Sequence, residues 1–418
     1  MSNPGQKPVL VVGAGIAGVT AALEAAEAGQ EVILVEREPA IGGRVLRLHN
    51  YFPKLCPPAC GMEINTRRLE KNPRIRVLTQ ASVARSQKTA TGWQVTIERA
   101  AQFVTERCTA CGDCAKVCPA KVKDTFNLGM CETSAVHLPH AEAWPRRFVL
   151  ERSACPAGCK RCVEACKYQA IDLDAKPNVE IVEASAVVAA TGWHPYPLEK
   201  LDALGGGRLP NVIANVQLER LVAASGPTQG KILRPSDKQP AKRVAFVQCA
   251  GSRDMNHLPN CSAVCCLASL KQAIYIKEQI ADAEVTIYYI DRRTPGRNEE
   301  MLTKVAALAG VKLVKGKVGK IEAAPDGSLK LFVEDAEAST MLDTRADLVV
   351  LATGMVPNRD EGTGGLNLKR DDDGFGLDSF EDRLFIAGVL RHPEDVAASV
   401  RDATGAAAKA MASATRSA

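Results

Sequence analysis

The chain has 418 residues, 46% of them hydrophobic and 4% aromatic, with a formal net charge of +5. That length supports two or three domains with proper cores. The mild charge and scarce aromatic residues argue against nucleic acid as a partner, and the fifteen cysteines are the main compositional signal.

No signal-peptide pattern opens the sequence: Met1 to Pro8 is polar and leads straight into a strand. Clustered cysteines without an export signal, in a chain too long for a disulfide scaffold, read as metal ligands or redox thiols of a reducing, cytoplasmic compartment. The apolar stretch Val9 to Ala26 is long enough to consider for a membrane. It is broken by Gly13, Gly15, Gly18 and Glu24, so no direct span is expected and any membrane contact comes through a partner.

In chain order, the first element is a βαβ unit, "PVLVVGAGIAGVTAALEAAEAGQEVILVERE". Val9 to Val12 is a continuous apolar run, as a buried parallel strand should be. Gly13, Gly15 and Gly18 form G-x-G-x-x-G: one for the tight turn, one for close approach of a pyrophosphate, one for helix–strand packing. The helix N-terminus offers N–H groups to the phosphates. The second strand, Val32 to Val35, ends at Glu36, placed to accept a hydrogen bond from a ribose 2′-OH. "PAIGGR" (Pro39 to Arg44) follows, then "FPKLCPPACGMEIN" with Cys56 and Cys60.

The strand "GWQVTIERA" (Gly92 to Ala100) precedes a cysteine-rich segment. Cys108, Cys111, Cys114 and Cys118, followed by Pro119, match the bacterial ferredoxin run C-x2-C-x2-C-x3-C-P. Cys155, Cys159, Cys162 and Cys166 form a second run whose first gap is one residue longer. Cross-ligation joins Cys108, Cys111 and Cys114 with Cys166, and Cys155, Cys159 and Cys162 with Cys118, giving two [4Fe–4S] clusters; the alternative is a structural zinc site. Cys131 fits neither set. "VEIVEASAVVAATG" then resumes the interrupted sheet, so residues 104–176 read as a ferredoxin-like module inserted into residues 1–103 and 177–241 of a nucleotide-binding domain.

A second nucleotide domain is expected over 242–348, with strands "RVAFVQ" and "EVTIYYID" around the helix "ASLKQAIYIKEQI". Its turn reads "CAGSRDMNHLPNCSAVCC": Cys249, Cys261, Cys265 and Cys266 stand where a glycine cradle is expected. Nicotinamide binding is expected to be lost. The four thiols read as redox groups with pKa lowered by a helix N-terminus, as metal ligands perhaps joined by Cys56 and Cys60, or as small buried residues. Residues 349–418 return to the first domain. The six histidines are scattered, and no acid/base pair or nucleophile stands out as catalytic.

Two apolar strands end in Ala-Thr-Gly, "ASAVVAATGWHPY" and "ADLVVLATGMVPN", and "RLFIAGV" comes near the end. With the first βαβ unit, these resemble the two-dinucleotide-binding-domain flavoproteins, which include thioredoxin reductase and the small subunit of glutamate synthase. The resemblance implies an α/β fold and FAD held at Gly13, Gly15, Gly18, Glu36, Gly43 and Arg44, with the turns at Gly192 and Gly354 and with Gly388. Many relatives carry Asp after that last glycine, reaching the ribityl or pyrophosphate; here it is Val389.

"GGRVLRLHNYFPKLCPPACGMEIN", "CTACGDCAKVCP", "VAATGW" and "QCAGSRD…CSAVCC" together resemble the HdrA family, the flavin-bearing subunits of heterodisulfide reductase. "YFPKLCPPACG" and the short length look most like the corresponding HdrA-like member of the quinone-interacting membrane-bound oxidoreductase (Qmo) complex. That resemblance implies an electron path between the menaquinone pool and adenylylsulfate reductase in dissimilatory sulfur metabolism. It also implies two partners: a second flavin/iron–sulfur protein of the complex, and a membrane subunit with haem. The alternatives are a soluble NAD(P)H-dependent flavoprotein reductase like the glutamate synthase small subunit, or a non-catalytic scaffold.

Overall fold

The computed structural model describes residues 7–359, 363 and 365–415; most of the polar start and the outer ends of the first and last expected domains lie outside the described residues. The first domain begins with β1 (Val9–Val12), α1 (Ile16–Glu27), β2 (Val32–Val35), α2 (Pro58–Lys71) and β3 (Ile75–Leu78). β1 and β2 are wholly buried, because helices and a second sheet cover both faces of a parallel strand. The parallel sheet runs Leu384–Ile386, Ala186–Ala189, β1, β2, β3, so the chain's return near the end completes it.

β4 (Ala81–Thr89) and β5 (Gly92–Arg99) form an antiparallel hairpin that packs over this sheet. β5 also pairs with Asn178–Ala184, and residues 104–176 leave and re-enter between those two strands. The inserted segment holds two short helices, α3 (Asp113–Lys116) and α4 (Arg161–Ala165), and a small core of its own around Val104, Val136, Phe148 and Leu150. Anchoring both ends in adjacent strands fixes its orientation far better than a flexible linker.

The second domain contains α5 (Asn215–Val222), α6 (Cys265–Gln279) and α7 (Glu299–Ala306) around a seven-stranded sheet. Its parallel part is Val212–Ala214, Leu348–Thr353, Arg243–Ala250, Glu284–Tyr289 and Val311–Ala323. The two Ala-Thr-Gly segments carry the chain out of one domain and back. Trp193–Pro195 and Met355–Pro357 pair antiparallel, so the two crossovers brace each other. The final helix, α8 (Val396–Thr415), packs on α1. Among the described residues no helix is long and apolar enough to cross a membrane.

One residue joins the three bodies. Arg220, on α5, is fully buried; its guanidinium donates to Asn127 Oδ1 of the insertion (2.9 Å), to the Arg47 carbonyl of the first domain (3.2 Å) and to Ser225 Oγ (3.1 Å). It also lies 4.7 Å from the Phe126 ring centroid. Arg220→Leu leaves those acceptors buried without a donor. We expect it to destabilise the chain by about 3 kcal/mol, read as a lowered midpoint in denaturant unfolding; an unchanged midpoint refutes this role.

Candidate functional site

A cavity of about 500 Å³ lies between the two domains. Gly13, Gly15, Glu36, Gly43, Arg44 and Gly192 all line it. Gly13 has φ +98°, and a Cβ there would stand 2.5 Å from the Ala190 carbonyl oxygen. Gly18 sits behind the wall: a Cβ would fall 1.7 Å from the Gly13 oxygen, so only glycine lets α1 start this close to its turn. Gly388, at φ +68°, likewise abuts Ala17 of α1, and its neighbours Ala387 and Val389 reach the cavity. Gly354 is different. It does not line the cavity but packs against Ser252 and Leu258 of the second domain; Met355, next to it, takes the place at the wall.

Glu36 is buried at the end of β2. Burial pushes its carboxyl up, and the Ala14 (2.7 Å) and Glu38 (2.9 Å) amides partly offset this by donating to it. Arg44 donates from Nε to the Trp193 carbonyl (2.6 Å) and lies 5.0 Å from the Trp193 ring centroid. Burial and the nearby Arg47 charge lower its pKa to about 10. With Arg47 on the same wall, two half-buried guanidinium groups and the glycine turn suit an anionic, phosphate-bearing ligand.

The opposite wall comes from α5 and α6, through residues that no sequence motif marks. Lys271 and Glu219 form an almost wholly buried ion pair at 3.0 Å. Lys271 Nζ also donates to the Asn50 carbonyl (2.6 Å); Glu219 accepts from Gln272 Nε2 (2.6 Å) and the His49 amide (2.9 Å). Three cavity-lining residues carry a buried oxygen without a hydrogen-bond partner: Thr191 Oγ1, Gln272 Oε1 and Glu394 Oε1. Orphaned groups of this kind are expensive unless a ligand or water satisfies them. The residues present therefore fit FAD: glycines for close approach, an acid at the ribose position, and polar atoms awaiting partners.

In the insertion, Cys108, Cys111, Cys114 and Cys166 surround one small cavity of about 20 Å³. The Ala110 amide points at Cys108 Sγ (3.4 Å) and the Ala170 amide at Cys166 Sγ (3.3 Å). Burial, with Cys108 and Cys111 close by, pushes the Cys114 thiol up to about 11. Cys162 is raised by burial and by Cys155 and Cys159 beside it. Cys118 packs into the same small core, its thiol 3.5 Å from the Ala120 carbonyl. Cys131 stands apart, near Asp124. Among the described residues no three His, Cys, Asp or Glu side chains are placed to share a single metal ion.

The remaining cysteines are arranged differently from the long loop expected. Cys249 lies within the strand Arg243–Ala250, and Cys265 and Cys266 open α6, leaving Cys261 as the one loop member. All four converge on Cys265, whose thiol is held well below its ordinary pKa by hydrogen bonds from Cys249, Cys261 and Cys266. Burial and that shared thiolate push the other three up. The Ala263 amide points at Cys261 Sγ (3.4 Å), and Ala263 (φ +59°) shares its left-handed backbone with Ala110 (φ +56°) of the insertion. These thiols do not line the large cavity, although Val264 and Ala268 of the same segment do. Cys60 is exposed and the Cys56 thiol lies 3.9 Å from the Lys54 carbonyl, so neither is drawn into the set.

Residues 8–192 match the FAD-dependent oxidoreductase family. The chain is 36% identical over 416 residues to the HdrA protein of the H(2):CoB-CoM heterodisulfide,ferredoxin reductase of Methanothermobacter marburgensis, covering 96% of this chain and 63% of that one. It is 35% identical over 419 residues to the HdrA iron-sulfur protein of the CoB--CoM heterodisulfide reductase of Methanocaldococcus jannaschii, with the same coverage. The chain thus spans somewhat under two thirds of the length of these relatives. In fold it is similar to the thioredoxin reductase of T. acidophilum, with a TM-score of 0.53 at 14% identity, covering 97% of each chain. The chain therefore has a thioredoxin-reductase-like fold, its first part matches the FAD-dependent oxidoreductase family, and it is similar over nearly its whole length to the HdrA proteins of heterodisulfide reductase.

Proposed function

We propose that the chain is an FAD- and iron–sulfur-containing electron-transfer subunit of a heterodisulfide-reductase-like complex. The observation that carries the reading is the crosswise cysteine set: Cys166 joins Cys108, Cys111 and Cys114 around one cavity, with backbone amides aimed at two of the four sulfurs. A four-iron cluster needs four thiolates around a small void, and amide N–H groups directed at sulfur set its potential. Cys155, Cys159, Cys162 and Cys118 supply the second set. Cys249, Cys261, Cys265 and Cys266 supply a third, with one thiolate already favoured and the amide of Ala263 aimed at Cys261.

Gly13 and Gly15 hold the pyrophosphate of FAD, with Gly18 behind them letting α1 start close to the turn; Glu36 holds the ribose, and Gly43, Arg44, Gly192 and Gly388 form the rest of the cradle. Bound FAD supplies two-electron chemistry that can be divided into single steps for clusters. The chain's own residues orient the group, exclude water, and keep the Lys271–Glu219 pair at the cavity wall. The altered turn of the second domain supports loss of a nicotinamide site. The Tyr196 ring lies 2.6 Å from where a Cβ of Gly251 would stand, covering the backbone a phosphate would need to approach. The sequence "YFPKLCPPACG" supports a finer reading: a path between menaquinone and adenylylsulfate reductase. There the chain would work with a second flavin/iron–sulfur protein and reach the membrane through a haem-bearing one.

Anaerobic purification with iron, sulfide and EPR measurements tests this. Wild type is expected to carry iron in clusters, with loss of about four irons per chain in Cys108→Ser/Cys111→Ser and, separately, in Cys265→Ser/Cys266→Ser. Iron at background in wild type sinks the proposal; an unchanged count in the second variant removes that set alone. Gly18→Val is expected to lower flavin content at least about tenfold, measured by visible absorbance per chain. NADH and NADPH are expected to leave the flavin oxidised; rapid bleaching would favour the soluble NAD(P)H-dependent reductase instead.

A further inference from the structure

Glu394 is buried, with 8% of its surface exposed, and lines the large cavity. Its Oε1 has no hydrogen-bond partner. A buried carboxyl oxygen left this way is destabilising, so the carboxyl has room for a further donor at Oε1.

The neighbouring carboxylates are already used. Asp402 accepts from the Gly388 amide (2.7 Å) and pairs with Arg391 (2.9 Å). Asp395 caps the start of α8, accepting from the Ala398 amide (2.7 Å). Arg391 is held between Asp402 and Asp378 (2.7 Å). His392 Nε2 lies 3.8 Å from the other Glu394 oxygen, and Ser399 hydrogen-bonds to the carboxyl. On the facing helix the neighbour is Ala17: a Cβ on Gly388 would lie 2.7 Å from the Ala17 Cβ and 3.9 Å from Glu394 Oε1. Glu394 Oε1 therefore stands beside the first turn of α1, where the pyrophosphate cradle is.

A carboxylate next to bound phosphate repels the phosphate itself but is well placed for a hydroxyl one step along the ligand. FAD has hydroxyls on both sides of its pyrophosphate: the ribose, at which Glu36 stands, and the ribityl chain. We propose that the Glu394 carboxylate accepts a hydrogen bond from a ribityl hydroxyl of bound FAD. The inference rests on the FAD reading above.

The contact has a pH signature. Burial, with Asp402 and Asp395 nearby, raises the Glu394 pKa to about 7. A hydroxyl donating to the charged form lowers it again, while the pyrophosphate charge alone raises it; the hydroxyl contact therefore shows as release of part of a proton and an affinity that rises with pH from about 6 to 8 for FAD and not for ADP.

The full chain, stripped of flavin, is titrated with FAD and with ADP, which lacks the ribityl chain. Wild type, Glu394→Ala, Glu394→Gln and His392→Asn are compared at several pH values. Glu394→Ala is expected to weaken FAD about tenfold and leave ADP unchanged. Glu394→Gln is expected to bind FAD with no rise in affinity with pH and no proton release by calorimetry, while His392→Asn keeps both. Failure of wild type to take up FAD would sink the FAD reading. Uptake with Glu394 variants behaving like wild type, a parallel loss for ADP, or a pH dependence that disappears with His392 overturns the Glu394 contact while FAD binding stands.

Discussion

The structure depends on two adjacent buried charges of opposite sign, Glu219 and Arg220, on α5. Arg220 is satisfied by the insertion, the first domain and the loop after its own helix. Glu219 is satisfied by Lys271, Gln272 and the His49 amide. Neither charge would be tolerated in the interior without those partners, so the relative placement of three bodies is over-determined at one point. The cavity is the space this arrangement leaves. Its wall on the second domain exists because α5 and α6 are drawn towards residues 47–50.

The same constraint bears on electron transfer. The insertion is held at both ends by adjacent strands and from the side by Asn127 against Arg220, so its cysteine sets keep a fixed relation to the flavin domain. Rigid placement suits the proposed task of keeping redox groups close, with little reorganisation when charge moves. The second domain has kept the strand–helix–strand frame of a nucleotide binder. Cysteines and the Tyr196 ring occupy the turn of that frame.

Much of this was legible in the sequence wherever the signal is local. The βαβ unit was legible because its glycines, helix and terminal acid act within one short stretch. The gathering of Cys166 with Cys108, Cys111 and Cys114 was legible because the spacing of the two runs follows a ferredoxin pattern. Less legible was the set around Cys265. Its members lie on a strand, in a loop and at a helix start, and only folding brings Cys249 to Cys265. Gly354 misled for the opposite reason: its local sequence copies that of Gly192. The two crossovers pair antiparallel, and only Gly192 faces the cavity.

Taken alone, the sequence determined the strand–turn–helix with its glycines and terminal acid, and the spacing of two cysteine runs that fall between paired strands of one sheet. Each follows from spacing along the chain, which backbone geometry converts directly into local shape. The tertiary structure alone decided that Lys271, set in an apolar helix, pairs with Glu219 of another helix across the domain. It alone decided that Cys249, Cys261 and Cys266 gather around Cys265, and that the Glu394 oxygen faces a ligand cavity without a partner. Those properties depend on what lies across a gap between elements distant in sequence, and burial there sets the charge state and the need for a partner.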